Sequence, residues 1–329
     1  MKKALVTGGG GFLGSRIVRM LLDKGITTRS LQRSDSPELK ILGVEIIRGD
    51  ISDRATVINA AEGCDVIFHV AAKAGVWGDY DDYYQCNVTG TKNIIDACQT
   101  HHIQKLIYTS SPSVVFAGKD EENINESTPY PDQFLTAYQK TKALAEQMVL
   151  EANNETLATV ALRPHLIWGP GDPHLVPRII ERAKAGRLRL VGKQSNLVDS
   201  THIDNAALAH ILAAEVLAPN ASCAGKIYFI SNDEPLPMKE LINKILAAAN
   251  LPAITKTIPT QLAYTIGMMM ELVYKVFKLK GEPVMTRFIA KQLSCAHWYD
   301  LTAAKNDLGY QVKVTINEGM ERLKASLNK

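Results

Sequence analysis

The sequence predicts a doubly wound α/β fold, in which helices cover both faces of a parallel sheet. Three observations predict it. Short apolar runs alternate with longer segments of helical period, a glycine-rich turn follows the first run, and 329 residues suffice for a large domain with a smaller appended region. Continuous apolar runs are typical of strands buried on both faces, and parallel pairing of such strands requires helical crossovers.

The elements follow in order along the chain. We expect strands over the apolar runs 4–7, 28–31, 44–47, 66–70, 106–109 and 159–162. Helical period predicts helices between them, over 14–24, 54–61, 87–100 and 138–152. The alternation changes after Pro164, where a turn cluster precedes a basic amphipathic helix over 176–185. A helix over 205–217 and a strand over 226–231 should then return to the sheet.

Composition limits the class of protein. The formal net charge of +3 is too small to favour nucleic acid or an anionic membrane as the main partner. Five scattered cysteines show no metal-ligand spacing, so we expect reduced thiols. Because a strand-like run begins at Lys3 with no apolar signal segment before it, we expect a cytoplasmic protein.

The first strand leads into a glycine-rich turn, TGGGGFLG at 7–14, and then into a helix. A dinucleotide pyrophosphate needs close approach of backbone amides and the positive end of a helix, and glycine meets both needs. A plain tight turn is the alternative. The position at the first strand-to-helix turn of an α/β unit favours cofactor binding.

The end of the second strand distinguishes NAD from NADP. NAD sites usually place a carboxylate there, roughly 20 residues past the glycines, for the ribose 2′-hydroxyl. This chain has Gln32 and Arg33 instead, and arginine is a good partner for a 2′-phosphate. Arg33 as an ordinary solvated charge is the alternative, and Asp35 lies close by. The pattern favours NADP(H).

A catalytic pair follows at Tyr138 and Lys142, which share one face of a helix at i,i+4 spacing. A phenol with a pKa of about 10 is a slow acid at neutral pH, and a nearby ammonium should lower that pKa. The spacing alone is common, and an exposed pair is its default explanation. Its position after the hydroxyl-bearing strand end at Ser110 and Ser111 favours a catalytic site.

The motifs together resemble the extended short-chain dehydrogenases, and among them the 3β-hydroxysteroid dehydrogenase branch. They are TGGGGFLG (7–14), GDISD (49–53), HVAA (69–72), NVTGT (87–91), YTSS (108–111), YQKTK (138–142), LRPHLIWGPGD (162–172) and THIDN (201–205). Within this branch, 71–83, 161–178 and 228–241 are similar to the bacterial reductases of 2-alkyl-3-oxoalkanoates in long-chain olefin biosynthesis. The match covers nearly the whole chain.

The resemblance implies roles for individual residues. Tyr138 would be the general acid, Lys142 would bind the nicotinamide ribose and tune Tyr138, and Ser111, with Ser110 beside it, would hydrogen-bond the carbonyl oxygen. Asn87 would support a proton relay to Lys142. The implied cofactor-binding residues are Gly8, Gly11, Phe12, Leu13, Gly14, Gln32, Arg33, Asp50, Ile51, Ala71, Ala72, Tyr138, Lys142 and Pro164. The domains would then be an NADP-binding Rossmann domain over 1–165, joined by 200–232, and a substrate-binding region over 166–199 and 233–329. A homodimer through the helices of Asn87 and Tyr138 is also implied.

Substrate-side residues are expected near the nicotinamide end. Lys73 follows the fourth strand and is a candidate anchor for a substrate carboxylate, against the alternative of a solvated or cofactor-contacting lysine. Trp77 and Trp168 are candidate apolar walls, although aromatic residues in such loops more often serve packing. His165, Asp172 and His174 lack metal-ligand spacing, and we expect no metal.

The apolar segment 262–280 is the strongest signal for a lipophilic ketone substrate. It contains Met268, Met269 and Met270, which adapt to varied shapes, while Glu271 and Lys275 interrupt it and disfavour a bilayer span. A substrate lid, a helix in the membrane interface (peripheral at the inner membrane), a contact with another copy or a pathway enzyme, and a plain buried helix all fit.

The sequence therefore predicts an NADP-dependent oxidoreductase. The expected reaction reduces the 3-keto group of a long-chain 2-alkyl-3-oxoalkanoate to the 3-hydroxy acid in olefin biosynthesis. The alternatives are a 3β-hydroxysteroid or sterol dehydrogenase, a sugar-nucleotide epimerase or dehydratase, and a non-catalytic NADP-binding regulator. The apolar segment disfavours the sugar-nucleotide enzymes, and the Ser111, Tyr138 and Lys142 set disfavours the regulator.

Overall fold

The strands are taken from a computed structural model, which describes residues 1–328. In chain order they are β1 (Lys3–Thr7), β2 (Thr27–Gln32), β3 (Glu45–Arg48), β4 (Val66–His69), β5 (Lys105–Thr109), β6 (Glu121–Ile124), β7 (Ala158–Pro164), β8 (Ile167–Trp168), β9 (Leu190–Val191), β10 (Leu197–Val198), β11 (Thr201–His202), β12 (Lys226–Ile230), β13 (Leu236–Pro237), β14 (Thr257–Ile258) and β15 (His297–Tyr299). All six predicted apolar runs, and the returning strand at 226–231, form strands within one or two residues of their predicted bounds.

The helices fill the intervals between the strands. They are α1 (Phe12–Asp23), α2 (Pro37–Ile41), α3 (Arg54–Ala61), α4 (Tyr80–Tyr84), α5 (Gly90–Thr100), α6 (Ala137–Glu151), α7 (Leu175–Lys184), α8 (Ile203–Val216), α9 (Met238–Ala248), α10 (Thr260–Val276), α11 (Arg287–Ser294), α12 (Thr302–Leu308) and α13 (Ile316–Leu327). A π-helical segment, Gln85–Thr89, joins α4 to α5, and a 3₁₀ turn covers Pro112–Val114.

The main sheet has seven parallel strands in the order β12-β7-β5-β4-β1-β2-β3. Its central strands are buried on both faces, as Ala4, Leu5 and Val6 of β1 illustrate at 0% exposure. Apolar clusters cover the two faces. The predicted doubly wound parallel sheet is confirmed. Its strand order reverses between β1 and β4, and ligands of such sheets bind beyond the carboxyl ends at that point.

A smaller region packs beside this sheet. Its four-stranded sheet has the order β13-β10-β15-β6, and its core includes Trp168, Val176, Leu241, Ile245 and Ile316. The expected domain limits stay a prediction, but two features differ from them. β6 leaves the first domain to pair with β15, and Leu301 to Tyr310 pack into the core of the main sheet.

The apolar segment 262–280 forms α10 and the turn after it. Within α10 only Ala263 and Gly267 are buried, so the prediction of a plain buried helix is wrong. Within residues 1–328, no helix is both long and apolar enough to cross a bilayer.

Candidate active site

The glycine turn after β1 shapes the first part of the site. Gly8 has φ +69°, and a side chain there would press on the backbone of Ala71 at 3.1 Å. A Cβ at Gly14 would collide with the carbonyl oxygen of Gly8. Gly11 precedes α1 and has no side chain to cap it, so the amides of the first turn remain available to an anion. These residues therefore fit a dinucleotide pyrophosphate.

The turn opens into one cleft of about 680 Å³ along the carboxyl ends of the strands. The cleft runs from the end of β2 to the start of α6, a length suited to an extended dinucleotide. Its lining includes every residue expected to bind the cofactor: Gly8, Gly11, Phe12, Leu13, Gly14, Gln32, Arg33, Asp50, Ile51, Ala71, Ala72, Tyr138, Lys142 and Pro164. Ser111 lines the same cleft.

The end of the cleft at β2 carries the residues expected to distinguish the cofactors. The amide of Gln32 is buried, accepting from Ser30 (2.7 Å) and donating to the carbonyl oxygen of Ser34 (2.9 Å). Asp35 accepts a hydrogen bond from Lys40 at 2.8 Å. This bond holds the pKa of Asp35 below its ordinary value. Among residues 1–328, Arg33 makes no side-chain hydrogen bond or ion pair, although it lines the cleft.

The other end of the cleft is built by the start of α6. Thr136 and Gln139 form a capping box, with Thr136 accepting from the Gln139 amide at 3.2 Å. The buried Gln139 side chain also donates to the carbonyl oxygens of Ser113 (2.8 Å) and Phe116 (2.9 Å). One side chain thereby fixes the turn that carries Ser111 against the helix that carries Tyr138. Gln139 was not among the predicted site residues, and its place three residues after a threonine was the available signal.

Tyr138 faces the cleft and is partly exposed to it. Burial of the phenol group raises the pKa of Tyr138, and a hydrogen bond with Ser111 offsets part of that rise. Ser111 also accepts from the amide of Ser113 at 3.2 Å. Tyr138 is therefore protonated at neutral pH, which is the form that a general acid requires.

Lys142 lies one turn farther along α6 and is 2% exposed. Its Nζ donates to the carbonyl oxygen of Thr109 at 2.6 Å and lies 4.2 Å from the centre of the Tyr108 ring. Burial lowers the pKa of Lys142 to about 7, with Glu146 opposing the fall. The prediction that Lys142 lowers the pKa of Tyr138 is wrong for the free protein, because the ammonium is bound to Thr109 and burial dominates at the phenol.

Asn87 lies in the π-helical segment, a feature common at functional sites. Its Oδ1 accepts from the amide of Lys73 at 2.8 Å, and its Nδ2 donates to Thr141 at 3.0 Å. Asn87 thus joins the loop after β4 to the catalytic helix. Its contact is with the neighbour of Lys142, so a role in a proton relay stays a prediction.

The expected substrate residues lie outside the lining of the cleft. Lys73 pairs with Asp82 at 2.7 Å and lies over the Tyr83 ring. Trp77 packs edge-on against Tyr274 of α10, at 6.3 Å between ring centres, so its loop connects the nicotinamide end with that helix.

Trp168 has a different position from the one expected. It is 0% exposed in the core of the smaller region, where its Nε1 donates to Ser200 at 3.0 Å. Because its ring is enclosed by core side chains, Trp168 serves packing, and its assignment as a wall of the substrate cleft is corrected.

Two further residues line the cleft. Ser110, the candidate beside Ser111, is buried with no hydrogen-bond partner for its Oγ within residues 1–328. Asp172, which was absent from the expected cofactor and substrate residues, caps the start of α7 through the amide of Val176 (2.9 Å). The turn cluster at 169–173 was the signal for Asp172. Among the described residues, no group of three His, Cys, Asp or Glu side chains could hold a metal ion.

Comparison with known proteins places this site in a family. The model of the 3-beta hydroxysteroid dehydrogenase/isomerase family matches residues 5–258. The chain is 53% identical to a 2-alkyl-3-oxoalkanoate reductase of Shewanella oneidensis, over 98% of this chain and 86% of that one. It is 55% identical to a reductase of the same name from Stenotrophomonas maltophilia, over 98% and 99%. A sterol-4-alpha-carboxylate 3-dehydrogenase, decarboxylating, of Homo sapiens is 37% identical over 98% and 87%.

Solved structures agree on the fold. The structure of gox2253 has a TM-score of 0.81 and 25% identity, covering 100% of this chain and 98% of that one. A UDP-glucuronic acid 4-epimerase from Bacillus cereus, in complex with NAD, has a TM-score of 0.75 and covers 99% and 98%. Its 21% identity supports a shared fold alone. The chain therefore belongs to the 3-beta hydroxysteroid dehydrogenase/isomerase family and is an oxidoreductase that acts on CH–OH or keto groups.

Proposed function

We propose that the chain reduces the 3-keto group of a long-chain 2-alkyl-3-oxoalkanoate to the 3-hydroxy acid, in the biosynthesis of long-chain olefins. The observation that carries the proposal is the placement of Ser111, Tyr138 and Lys142 together at one end of a dinucleotide cleft. The two reductases of that name, each more than half identical over nearly the whole chain, support the substrate.

The chemistry assigns a separate task to each side chain. When bound, the dinucleotide supplies the hydride. Tyr138 donates its phenolic proton to the carbonyl oxygen, and Ser111 stabilises the negative charge that develops there. Lys142 would exchange the carbonyl oxygen of Thr109 for the ribose hydroxyls and place its positive charge beside the phenol, where it would ease proton release.

NADP(H) is the cofactor we propose. Arg33 has no partner within residues 1–328 and lines the cleft where a 2′-phosphate would lie. The nearest acid, Asp35, is bonded to Lys40, and Gln32 stands where NAD sites place a carboxylate. A 2′-phosphate would therefore meet the unpaired guanidinium of Arg33, while the nearby carboxylate of Asp35 is already neutralised by Lys40.

The substrates named for two relatives share a structural feature. A 2-alkyl-3-oxoalkanoate and a sterol-4-carboxylate that reacts at carbon 3 both carry a carboxylate one carbon from the reacting carbon. We propose that this site takes such 3-oxo acids. Lys73 would anchor the carboxylate by leaving Asp82, and Lys73→Ala should then raise KM with little change in kcat.

Anaerobic turnover tests the proposed function. A long-chain 2-alkyl-3-oxo acid, a 3-ketosteroid and UDP-sugars are each offered with NADPH and with NADH. We expect rapid oxidation of NADPH with the 3-oxo acid. Preferred turnover of the ketosteroid would indicate a 3β-hydroxysteroid or sterol dehydrogenase instead. Conversion of a UDP-sugar would indicate a sugar-nucleotide epimerase or dehydratase. Cofactor binding without turnover of any substrate would indicate the regulator.

The exposed face of α10 is proposed to lie on an anionic lipid surface. Leu262, Ile266, Met269, Val273 and Val276 form one continuous apolar stripe, each 36–63% exposed. Lys275, Lys278 and Lys280 lie at its C-terminal end, while Glu271 is turned back to Arg287 at 2.6 Å. Basic residues beside an apolar stripe suit an anionic lipid. If the stripe instead packed against the same stripe of a second copy, its apolar residues would offer these lysines no acidic partner.

Co-sedimentation with vesicles tests this contact. Wild type should bind phosphatidylglycerol vesicles more strongly than phosphatidylcholine vesicles at low salt. Met269→Glu/Val273→Glu should abolish binding, whereas Ile41→Glu, at an 85% exposed position on α2, should not. Equal binding by both variants overturns the proposal. Loss of a dimer in the double variant, without vesicle binding by wild type, would assign the stripe to a second copy or protein partner.

The expected dimer through α5 and α6 is a separate proposal, tested by analytical ultracentrifugation.

A further inference from the structure

A buried ion pair of Glu146 and Arg163 lies one helical turn behind the catalytic lysine. Glu146 follows Lys142 by one turn of α6, and Arg163 lies near the end of β7. The two side chains are 0% and 1% exposed. Arg163 donates to both carboxylate oxygens of Glu146, with Nε–Oε2 at 2.9 Å and Nη2–Oε1 at 2.6 Å. The bidentate geometry fixes the carboxylate in one orientation.

Neighbouring aromatic residues complete the setting. The hydroxyl of Tyr130 donates to Oε1 of Glu146 at 2.7 Å. The rings of Phe229 and Tyr130 lie 5.2 and 5.8 Å from the guanidinium carbon of Arg163. Burying two charges carries a large desolvation cost, and apolar residues of similar size often stabilise a fold equally well. Stability alone therefore does not explain the pair.

We propose that Glu146, fixed by Arg163 and Tyr130, is a positioning residue that keeps Lys142 in its ammonium form and aimed at the cleft. The inference rests on the proposed function only in giving Lys142 a task in the reaction. The geometry stands independently of the substrate. Tyr138, Lys142 and Glu146 lie at i, i+4 and i+8, so one line of side chains runs along α6 from the cleft into the core.

The carboxylate of Glu146 acts on Lys142 although it is itself paired with Arg163. Burial lowers the pKa of Lys142 to about 7, and Glu146 is the largest influence raising it. Apart from Arg163 on β7, which is paired with Glu146, the titratable groups that face Lys142 from other elements are uncharged at neutral pH. Burial lowers the pKa of His69 on β4 to about 3, and it raises the pKa of Tyr108 on β5 and that of the Cys86 thiol in the π-helical segment.

The consequence for pH dependence follows from the sign of this interaction. An ammonium is lost as pH rises through its pKa, so a carboxylate that raises the pKa extends the active form to higher pH. Removing Glu146 lowers the pKa of Lys142 and moves the alkaline loss of activity to lower pH. A purely structural pair would reduce activity at all pH values without moving that midpoint.

The test uses two variants, because Glu146→Gln alone leaves Arg163 buried without its partner. Glu146→Gln/Arg163→Met removes both charges and keeps an acceptor for Tyr130. Arg54→Met/Asp96→Asn, which removes an ion pair between α3 and α5, is the control. Two readouts are taken: the pH profile of kcat, and the titration of Lys142 in the free protein by NMR of isotopically labelled lysines, assigned with Lys142→Met.

We expect both midpoints to fall by up to about one pH unit in the double variant, because loss of the Arg163 charge offsets part of the effect of losing Glu146, with the control unchanged. Wild-type midpoints in a stable double variant overturn the proposal, as does failure of that variant to fold, which would assign the pair to stability. The NMR titration needs no substrate. A shifted Lys142 titration without 3-oxo acid turnover would therefore refute the proposed function and leave this inference intact.

Discussion

The contacts of Gln139 lead to a prediction that the sequence alone did not suggest. In Gln139→Leu the side chain keeps its approximate size but loses five hydrogen bonds. Two are donated to the carbonyl oxygens of Ser113 and Phe116, and three are accepted, from the amides of Leu135 (3.0 Å) and Thr136 (3.1 Å) and from the hydroxyl of Thr136 (3.4 Å). The helix start therefore loses the side-chain half of its capping box, and the Ser111 turn loses its attachment to α6.

The magnitude follows from what each group retains. The carbonyl oxygen of Ser113 keeps the amide of Phe116 at 3.2 Å, so the carbonyl of Phe116 suffers the main loss. One buried acceptor without a partner costs about 1–3 kcal/mol, and the lost half of the capping box adds about 1 kcal/mol. We expect unfolding free energy to fall by about 2–4 kcal/mol. Because Ser111 and Tyr138 are no longer held in register, kcat should fall roughly 10- to 100-fold.

Urea unfolding and steady-state NADPH oxidation measure the two effects. Gln147→Leu is the matched control, since Gln147 lies on the same helix and its side chain makes no hydrogen bond within residues 1–328. NADPH affinity should change little in both variants, because the glycine turn is untouched. Wild-type stability and kcat in Gln139→Leu would show that these hydrogen bonds do not hold the Ser111 turn against α6.

Three further predictions concern other parts of the molecule. Arg33→Ala should weaken NADPH binding roughly 10- to 100-fold and leave NADH binding unchanged, measured by fluorescence titration; an equal effect on both cofactors would contradict the NADP assignment. Trp168→Ala should cost about 3–5 kcal/mol in urea unfolding with KM unchanged where the protein remains folded, since the ring lies in the core. Burial raises the pKa of Glu121 from 4.5 to about 7, so its protonated form stabilises the fold below pH 4.5, and this contribution is lost as pH rises towards 7. In Glu121→Gln the unfolding free energy should depend less on pH over that interval. An unchanged pH dependence would contradict this prediction.

The central sheet was predictable because its signals are local. Strands such as β1 and β5 are continuous apolar runs, and the glycine turn must follow β1 directly. β6 was missed because Glu121–Ile124 reads EENI and becomes a strand only by pairing with β15, far along the chain. Tertiary pairing of that kind leaves no periodic pattern in a short polar segment.

In the site, too, features set by local sequence were predictable, and features set by tertiary contacts were not. The i,i+4 spacing brought Tyr138 and Lys142 together, but it could not show that Lys142 bonds to Thr109 in the free protein. Trp168 was misassigned because its sequence context resembles a loop, whereas packing of the smaller region encloses its ring. Burial depends on contacts between distant segments, and the sequence holds no direct record of them.

In the proposed reaction, Tyr138 donates the proton to the ketone oxygen. Tyr138→Phe removes the phenolic hydroxyl and keeps the ring beside Tyr83. Single-turnover NADPH oxidation with a long-chain 2-alkyl-3-oxo acid is compared in wild type and Tyr138→Phe at matched cofactor saturation. The rate should fall roughly 10²- to 10⁴-fold while NADPH affinity is retained. A Tyr138→Phe variant that reduces the 3-oxo acid at the wild-type rate would show that Tyr138 is not the proton donor.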